Sequence, residues 1–318
     1  LFGTLRYALA TLVVLSHNNI TLYGKNIGVM AVVVFYLLSG YMMTGLIRRR
    51  YASLSAIGGF YWDRILRIYP QYLLFLTLTL LAVQTLPIQT PYLAVPLDGQ
   101  KLFANLSIIP LNFFMFNQLD KAMLLPQAWS LGTEWQFYLT FPFVLLLHSR
   151  LRPLIAGLSV LVFALAMTGQ LQTDWYGYRL LPGVWFIFLT GSFIYDRGHK
   201  TVLGLWLTVF LIGSGCYIAH IPYQAFNVEV IVGFLIGVVL VLVLRQGSQN
   251  KWDDYLGHLS YGVFLCHFLV IWLVQTIANI EAQALCLLVW GLASLLSAVG
   301  YHSVESPLLK WRKKGNPS

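Results

Sequence analysis

The chain has 318 residues, of which 58% are hydrophobic and only 10% charged. A soluble domain carries about 25% charged residues, so this composition, with a mean hydropathy of +0.72, argues against a soluble enzyme. Net charge is +9, from 20 Lys and Arg against 11 Asp and Glu. It reads as basic residues gathered in the cytoplasmic loops of a membrane protein. A nucleic-acid partner is not expected, because no basic stripe is interleaved with aromatics in a polar segment.

In chain order, apolar runs near the ~20 residues that cross a bilayer fall at 5–22, 27–47, 68–86, 128–147, 153–170, 180–195, 201–219, 227–244, 256–277 and 283–302. They are continuous, which argues for helices and against a transmembrane barrel. The expected fold class is an all-α polytopic membrane protein of ten spans. Residues 102–117 are apolar but interrupted by Asn105, Pro110 and Asn112. With ten spans and the N-terminus inside, sixteen basic residues face the cytoplasm, and only Lys25, Lys101, Lys121 and Arg179 lie outside. An eleventh span would invert every loop from Arg150 onward, against the positive-inside rule. Both termini are therefore expected in the cytoplasm, with 87–127 an external segment whose apolar part dips into or lies on the membrane. Residues 1–302 form one membrane domain on this reading, and 303–318 a basic cytoplasmic tail. The chain opens on Leu1 with no cleavable signal peptide apparent, and its natural start is expected upstream. Cys216, Cys266 and Cys286 lack metal-ligand spacing and read as packing residues; no metal is expected.

An ionisable group inside a span costs about 2.5–3.5 kcal/mol on insertion scales, so each needs a reason. In the first span Arg6 and His17 are eleven residues apart, about 20° past three full turns, and so share a face about 16.5 Å apart along the axis. A neutral His is suited to take a hydroxyl proton near neutral pH; the plainer reading is an interfacial His beside Asn18 and Asn19, with Arg6 a positive-inside anchor. Arg64 and Arg67 share a helical face where the third span begins, and with Arg48, Arg49 and Arg50 form a basic cluster suited to phosphate or to anionic headgroups. The lipid or topological reading is the stronger one for Arg48 to Arg50. On the fourth span Ser130, Glu134 and Tyr138 make a polar stripe. Glu134, about 9 Å inside the outer boundary, either orients His17, holds an acceptor hydroxyl, or bonds a neighbouring helix. Ser260 and His267 share a late face; alone, His267 reads as a core histidine. Glu305 reads as a helix-end ion pair with a basic loop residue, with Pro307 ending the helix. His148, His199, His220, His258 and His302 receive no role.

Together these pieces resemble the acyltransferase-3 family of bacterial integral-membrane O-acyltransferases, over nearly the whole chain. The motifs are Arg6 and His17; Phe35-Tyr-Leu-Leu-Ser39-Gly40-Tyr41; Arg64 to Pro70; Trp129-Ser130-Leu-Gly-Thr-Glu134 to Tyr138; Ser260 to His267; and Glu305-Ser-Pro307. Each is weak, and six in order are specific. Two departures stand out. Many relatives have an Asp shortly before the Phe-Phe pair, whereas Gly28 to Phe35 has none, which makes Glu134 the first candidate to orient His17. Asp63 also replaces the first Arg of the usual Arg-Arg-x-x-Arg.

The resemblance implies a stand-alone membrane domain in the bacterial inner membrane. It would move an acyl group, commonly acetyl, from cytoplasmic acyl-CoA as donor substrate to a hydroxyl of a cell-surface glycan or its lipid-linked precursor. The expected catalytic residues are His17, Glu134 and Arg6. Arg64, Arg67 and Arg6 would hold the donor, and Trp129, Ser130, Tyr138, Ser39 and His267 the acceptor. A rival reading, a glycolipid transporter or flippase, uses the same polar residues as a path; transporters often show paired repeats, and none is found here. A receptor or scaffold is the third class.

Overall fold

The structure, a computed structural model, describes residues 1–148, 150–248, 250–278 and 286–315. Residues 283–285 of the last expected span and 316–318 of the tail lie outside the described residues. The helices in chain order are α1 (Phe2–His17), α2 (Ile27–Arg50), α3 (Ile57–Thr85), α4 (Gly99–Ser107), α5 (Phe114–Asn117), α6 (Ala128–Leu146), α7 (Leu151–Met167), α8 (Leu181–Tyr195), α9 (His199–Ile218), α10 (Asn227–Leu244), α11 (Lys251–Ala278), α12 (Cys286–Gly300) and α13 (Ser306–Gly315). Among the described residues seven stretches are long and apolar enough to cross a membrane. The protein is a multi-pass, all-helical membrane protein. Each of the ten expected runs coincides with a helix, although α1 and α7, at 16 and 17 residues, are short for a span.

The chain forms two compact units. The first comprises Leu1–Ile20, Trp62–Trp129 and Gln249–Ser318, and the second Thr21–Tyr61 and Ser130–Ser248.

In the first unit α1 lies backbone to backbone on α11. A Cβ on Gly3 would meet the Asp253 carbonyl oxygen at 1.7 Å. The Asp253 carboxylate accepts from the amides of Gly3 at 3.2 Å and Thr4 at 2.8 Å, and from the Thr4 hydroxyl at 2.8 Å. The first amides of a helix have no intrahelical acceptor, so α11 caps α1 from outside its own chain segment. α12 joins them through Tyr7 and Ser294 at 2.8 Å and through Trp290, whose indole N–H donates to Thr11 Oγ1 at 3.1 Å.

The interrupted run after α3 does not form a span. α4 ends after nine residues, Ile108 turns back with φ 66°, and Pro110 follows. Asn105 explains the interruption. Fully buried, it donates to the carbonyls of Lys101 and Ala122 at 2.9 and 2.8 Å and accepts the Leu124 amide at 2.9 Å. Its own carbonyl accepts the Tyr72 hydroxyl of α3 at 2.6 Å. Asp98 caps α4 through the Lys101 amide at 2.8 Å, and the hydrogen bond from the Lys101 side chain holds its carboxyl below the ordinary range. Pro307 does not end the last helix as its sequence position suggests. The helix runs on from α12 through a π-helical turn over Tyr301–Glu305 into α13, and Pro307, which has no N–H to donate, stands two residues past that turn, where the regular i→i−4 pattern is already interrupted.

In the second unit α8 is the core element, with twelve of its fifteen residues buried, as a helix apolar on every face requires. Phe188 stacks on Phe137 of α6 at 4.3 Å and on Tyr36 of α2 at 4.6 Å. α9 turns Leu203, Leu207, Phe210 and Leu211 outward, an apolar exterior suited to lipid. The α2 and α8 backbones touch at reciprocal glycines. A Cβ on Gly40 would lie 1.8 Å from the Phe188 carbonyl oxygen, and one on Gly191 2.0 Å from that of Leu37. This steric demand accounts for the glycine of the Ser39-Gly40 pair. Gly191→Ala should cost at least the ~1–3 kcal/mol of an overpacked core and lower the thermal midpoint in detergent. Gly204→Ala, with nothing within 4 Å, should leave it unchanged; equal midpoints for the two variants would refute the close approach.

Candidate functional site

His17 is the last residue of α1. Asn18 closes the helix, its side-chain amide donating to the Val14 carbonyl at 2.8 Å, and Asn19 turns with φ 62°. The His17 side chain is exposed. Its ring stacks on that of His267 in α11, centroids 5.2 Å apart and planes 23° apart, and packs on Phe268 at 4.6 Å. His267 is fully buried. Its Nδ1 lies 2.8 Å from the Phe264 carbonyl oxygen, which only accepts, so Nδ1 carries the hydrogen and Nε2 is left as an acceptor. That Nε2 and the Asn18 Oδ1 are buried without a hydrogen-bond partner among the described residues. Two unmet acceptors therefore neighbour an exposed imidazole. An N–H or O–H donor would satisfy them, and a buried acceptor left unpaired costs about 1–3 kcal/mol.

Arg6, half-buried, lies on α1 about 16 Å along the helix from His17 by its spacing, so the two residues mark separate levels of α1. Arg64 and Arg67 lie on α3, which starts at Ile57, earlier than the apolar run alone indicates. Arg64 pairs with buried Asp63. Arg67 pairs with Glu305, the last residue of the π-helical turn. Glu305 is buried and also accepts from Gln71 Nε2 at 2.7 Å and meets His258 Nδ1 at 2.6 Å. The Tyr261 hydroxyl donates to the Ile68 carbonyl at 3.0 Å, a further tie between α3 and α11. An anionic ligand at Arg67 would share its guanidinium with Glu305.

In the second unit the Glu134 Oε1 accepts from the hydroxyls of Ser39 in α2 and Tyr138 one turn along α6. These are the partners of the carboxylate expected to orient His17, while His17 has His267 and Phe268 beside it in the first unit. Ser130 is buried and Trp129 half-buried, at the residues where one unit gives way to the other. Among the described residues no group of three or more His, Cys, Asp or Glu is arranged to hold a metal.

The sequence alone assigns no role to His258 or Gln71. The available signals were position alone: Gln71 is one turn after Arg67, and His258 stands just before Ser260. Neither spacing tells that both meet Glu305.

The chain matches the family model described as an acyltransferase domain, acyltransferase-3, over residues 3–300. It is 34% identical over 166 residues to an "Uncharacterized protein" of Aquifex aeolicus (strain VF5), covering 48% of this chain and 72% of that one. No solved structure matches it. With a match that runs from the start of α1 to the end of α12, the chain belongs to the acyltransferase-3 family.

Proposed function

We propose that the protein is an O-acyltransferase of the bacterial inner membrane that moves an acyl group, commonly acetyl, from cytoplasmic acyl-CoA to a hydroxyl of a cell-surface glycan or its lipid-linked precursor. The observation that carries this reading is His17: an exposed imidazole at a helix end, stacked on a buried imidazole that offers only a lone pair. Arg64 and Arg67, with Arg6, engage the phosphates of the donor, and its acyl thioester reaches His17. The His17 ring takes the proton of the acceptor hydroxyl. The oxygen attacks the thioester carbonyl, the carbon–sulfur bond breaks, and the leaving thiolate takes the proton back from the imidazolium. A route through an acyl-histidine uses the same atoms in two transfers.

The acceptor side draws on hydroxyl and aromatic groups. In the first unit His267 Nε2 accepts from a hydroxyl near the one that reacts, and Trp129 offers an aromatic face. The second unit holds its own hydrogen-bonded cluster, in which the Glu134 carboxylate directs the hydroxyls of Ser39 and Tyr138.

A positioned base contributes about 10²–10⁴-fold. His17→Ala should lose transfer from radiolabelled acetyl-CoA by that factor in detergent-purified protein while the thermal midpoint holds; wild-type turnover would end the mechanism. A wild-type protein that neither binds nor hydrolyses acetyl-CoA would favour transport of a glycolipid. Arg67→Lys keeps a cation opposite Glu305 but removes the guanidinium fork. It should raise the KM for acetyl-CoA about tenfold or more, the worth of a charge-assisted bond, with kcat little changed. An unaltered KM would remove Arg67 from the donor site.

A further inference from the structure

Basic residues are compensated differently in the two units. In the first, Arg64 and Arg67 each have a carboxylate, Asp63 and Glu305. In the second, guanidinium groups gather at the C-terminal end of α8, where α2 and α10 also stop and α7 begins. Arg48 and Arg152 share one oxygen of Asp196, each at 2.6 Å. Arg152 also donates to Ser192 Oγ at 3.0 Å, and Arg245 to the Ile194 carbonyl at 3.1 Å. The Arg49 Cζ lies 6.0 Å from the centroid of the Tyr195 ring, which meets Tyr41 edge-on at 5.3 Å. Tyr41 in turn is within electrostatic reach of Arg49, Arg197 and Arg245. Among the described residues Asp196 is the one carboxylate that pairs with any of these five guanidinium groups, and it pairs with two.

The end of α8 carries a second signal. The Gly198 amide donates to the Phe193 carbonyl at 2.9 Å and the Arg197 amide to that of Ile194 at 3.2 Å. In this paired helix ending the residue in the left-handed conformation is usually glycine. Here Arg197 holds it, with φ 58°, and the glycine comes one position later. An exposed arginine is thus kept where local conformation prefers a residue without a side chain, and its charge adds to a cluster already in excess.

We propose that Arg48, Arg49, Arg197 and Arg245, with the Tyr41 hydroxyl, form a site for a phosphate ester, separate from the donor residues named above. A phosphate supplies the missing negative charge and matches the planar fork of arginine, and a tyrosine hydroxyl adds a neutral donor. Two sources carry this chemistry at the end that the charge distribution assigns to the cytoplasm: the headgroup of an anionic lipid, which draws basic residues to that face, and the phosphates of CoA. The lipid source stands independently of the acyltransferase reading, and the CoA source rests on it.

The full chain, purified in detergent, tests both. Native mass spectrometry reads retention of phosphatidylglycerol over phosphatidylcholine, and equilibrium binding reads affinity for CoA itself. An Arg49→Gln, Arg197→Gly double variant should lose about tenfold or more in one of the two, as expected for lost charge-assisted contacts. Loss of phosphatidylglycerol alone assigns the lipid, and loss of CoA alone assigns the donor. The single variant Arg197→Gly should keep or raise the thermal midpoint, because glycine fits the left-handed position. Unchanged retention of both ligands in the double variant overturns the site, and so does a wild type that prefers neither. A drop in the midpoint of Arg197→Gly would make that arginine structural and overturn its part in the site. Failure of acyl transfer with selective lipid retention intact would sink the catalytic reading alone.

Discussion

A carboxylate buried among apolar helices is tolerable only when its charge is met, and Glu305 is the point where the first unit meets that requirement. Its two oxygens take an arginine and a glutamine from α3 and lie against a histidine from α11. Removing one partner of a buried ion pair costs about 3–5 kcal/mol, because the remaining charge stays buried. Glu305 is carried on a π-helical turn. One extra residue in the turn rotates the side chain relative to a regular α-helix, and such turns recur at functional sites. Arg67 is thereby held at a fixed place on α3 by a residue more than two hundred positions away. A long, flexible cation becomes a positioned one, which is what binding a phosphate in one orientation requires.

The same economy of charge separates the two units. Where each arginine has its own acid, the cation is held in one place and acts at short range through directed hydrogen bonds. Where five guanidinium groups gather around one acid that pairs with only two of them, the field extends outward and favours an anion from solution or from the lipid surface. Counting basic residues does not distinguish the two clusters. The distinction lies in where the acids are. Asp63 and Glu305 are buried beside their partners, whereas Asp196 is shared between arginines from two different helices.

Much of the fold is legible in the sequence because hydropathy is a local property. The ten apolar runs each coincide with a helix, and the break at Asn105 marks the segment that does not cross. The shared face of Arg6 and His17 follows from helical periodicity alone. Other features are not local. Asn105 reads as a polar flaw in an apolar run, and only its four hydrogen-bonding contacts reveal that it ties residues 101–124 to α3. The partner of Glu305 is a helix residue rather than the loop cation suggested by its terminal position. Pro307 looks like a terminator because proline lacks the N–H that continues a helix, yet the helix runs on through a π-helical turn just before it. In each case the residue type states a need, and only the tertiary structure states how the need is met.

The histidine pair illustrates how a site is assembled from such needs. His17 alone is a titratable group at the mouth of a helix end, and many interfacial histidines are no more than that. His267 alone is a core histidine whose Nδ1–H satisfies a carbonyl of its own helix. Stacking the two changes what each can do. The local hydrogen bond fixes the tautomer of His267, so its remaining nitrogen can only accept. A neighbouring imidazole that can only accept will orient a donor beside His17 without competing for the same lone pair. The backbone of α11 sets the tautomer of His267, and the same two helices that touch backbone to backbone at Gly3 carry the stacked rings further along.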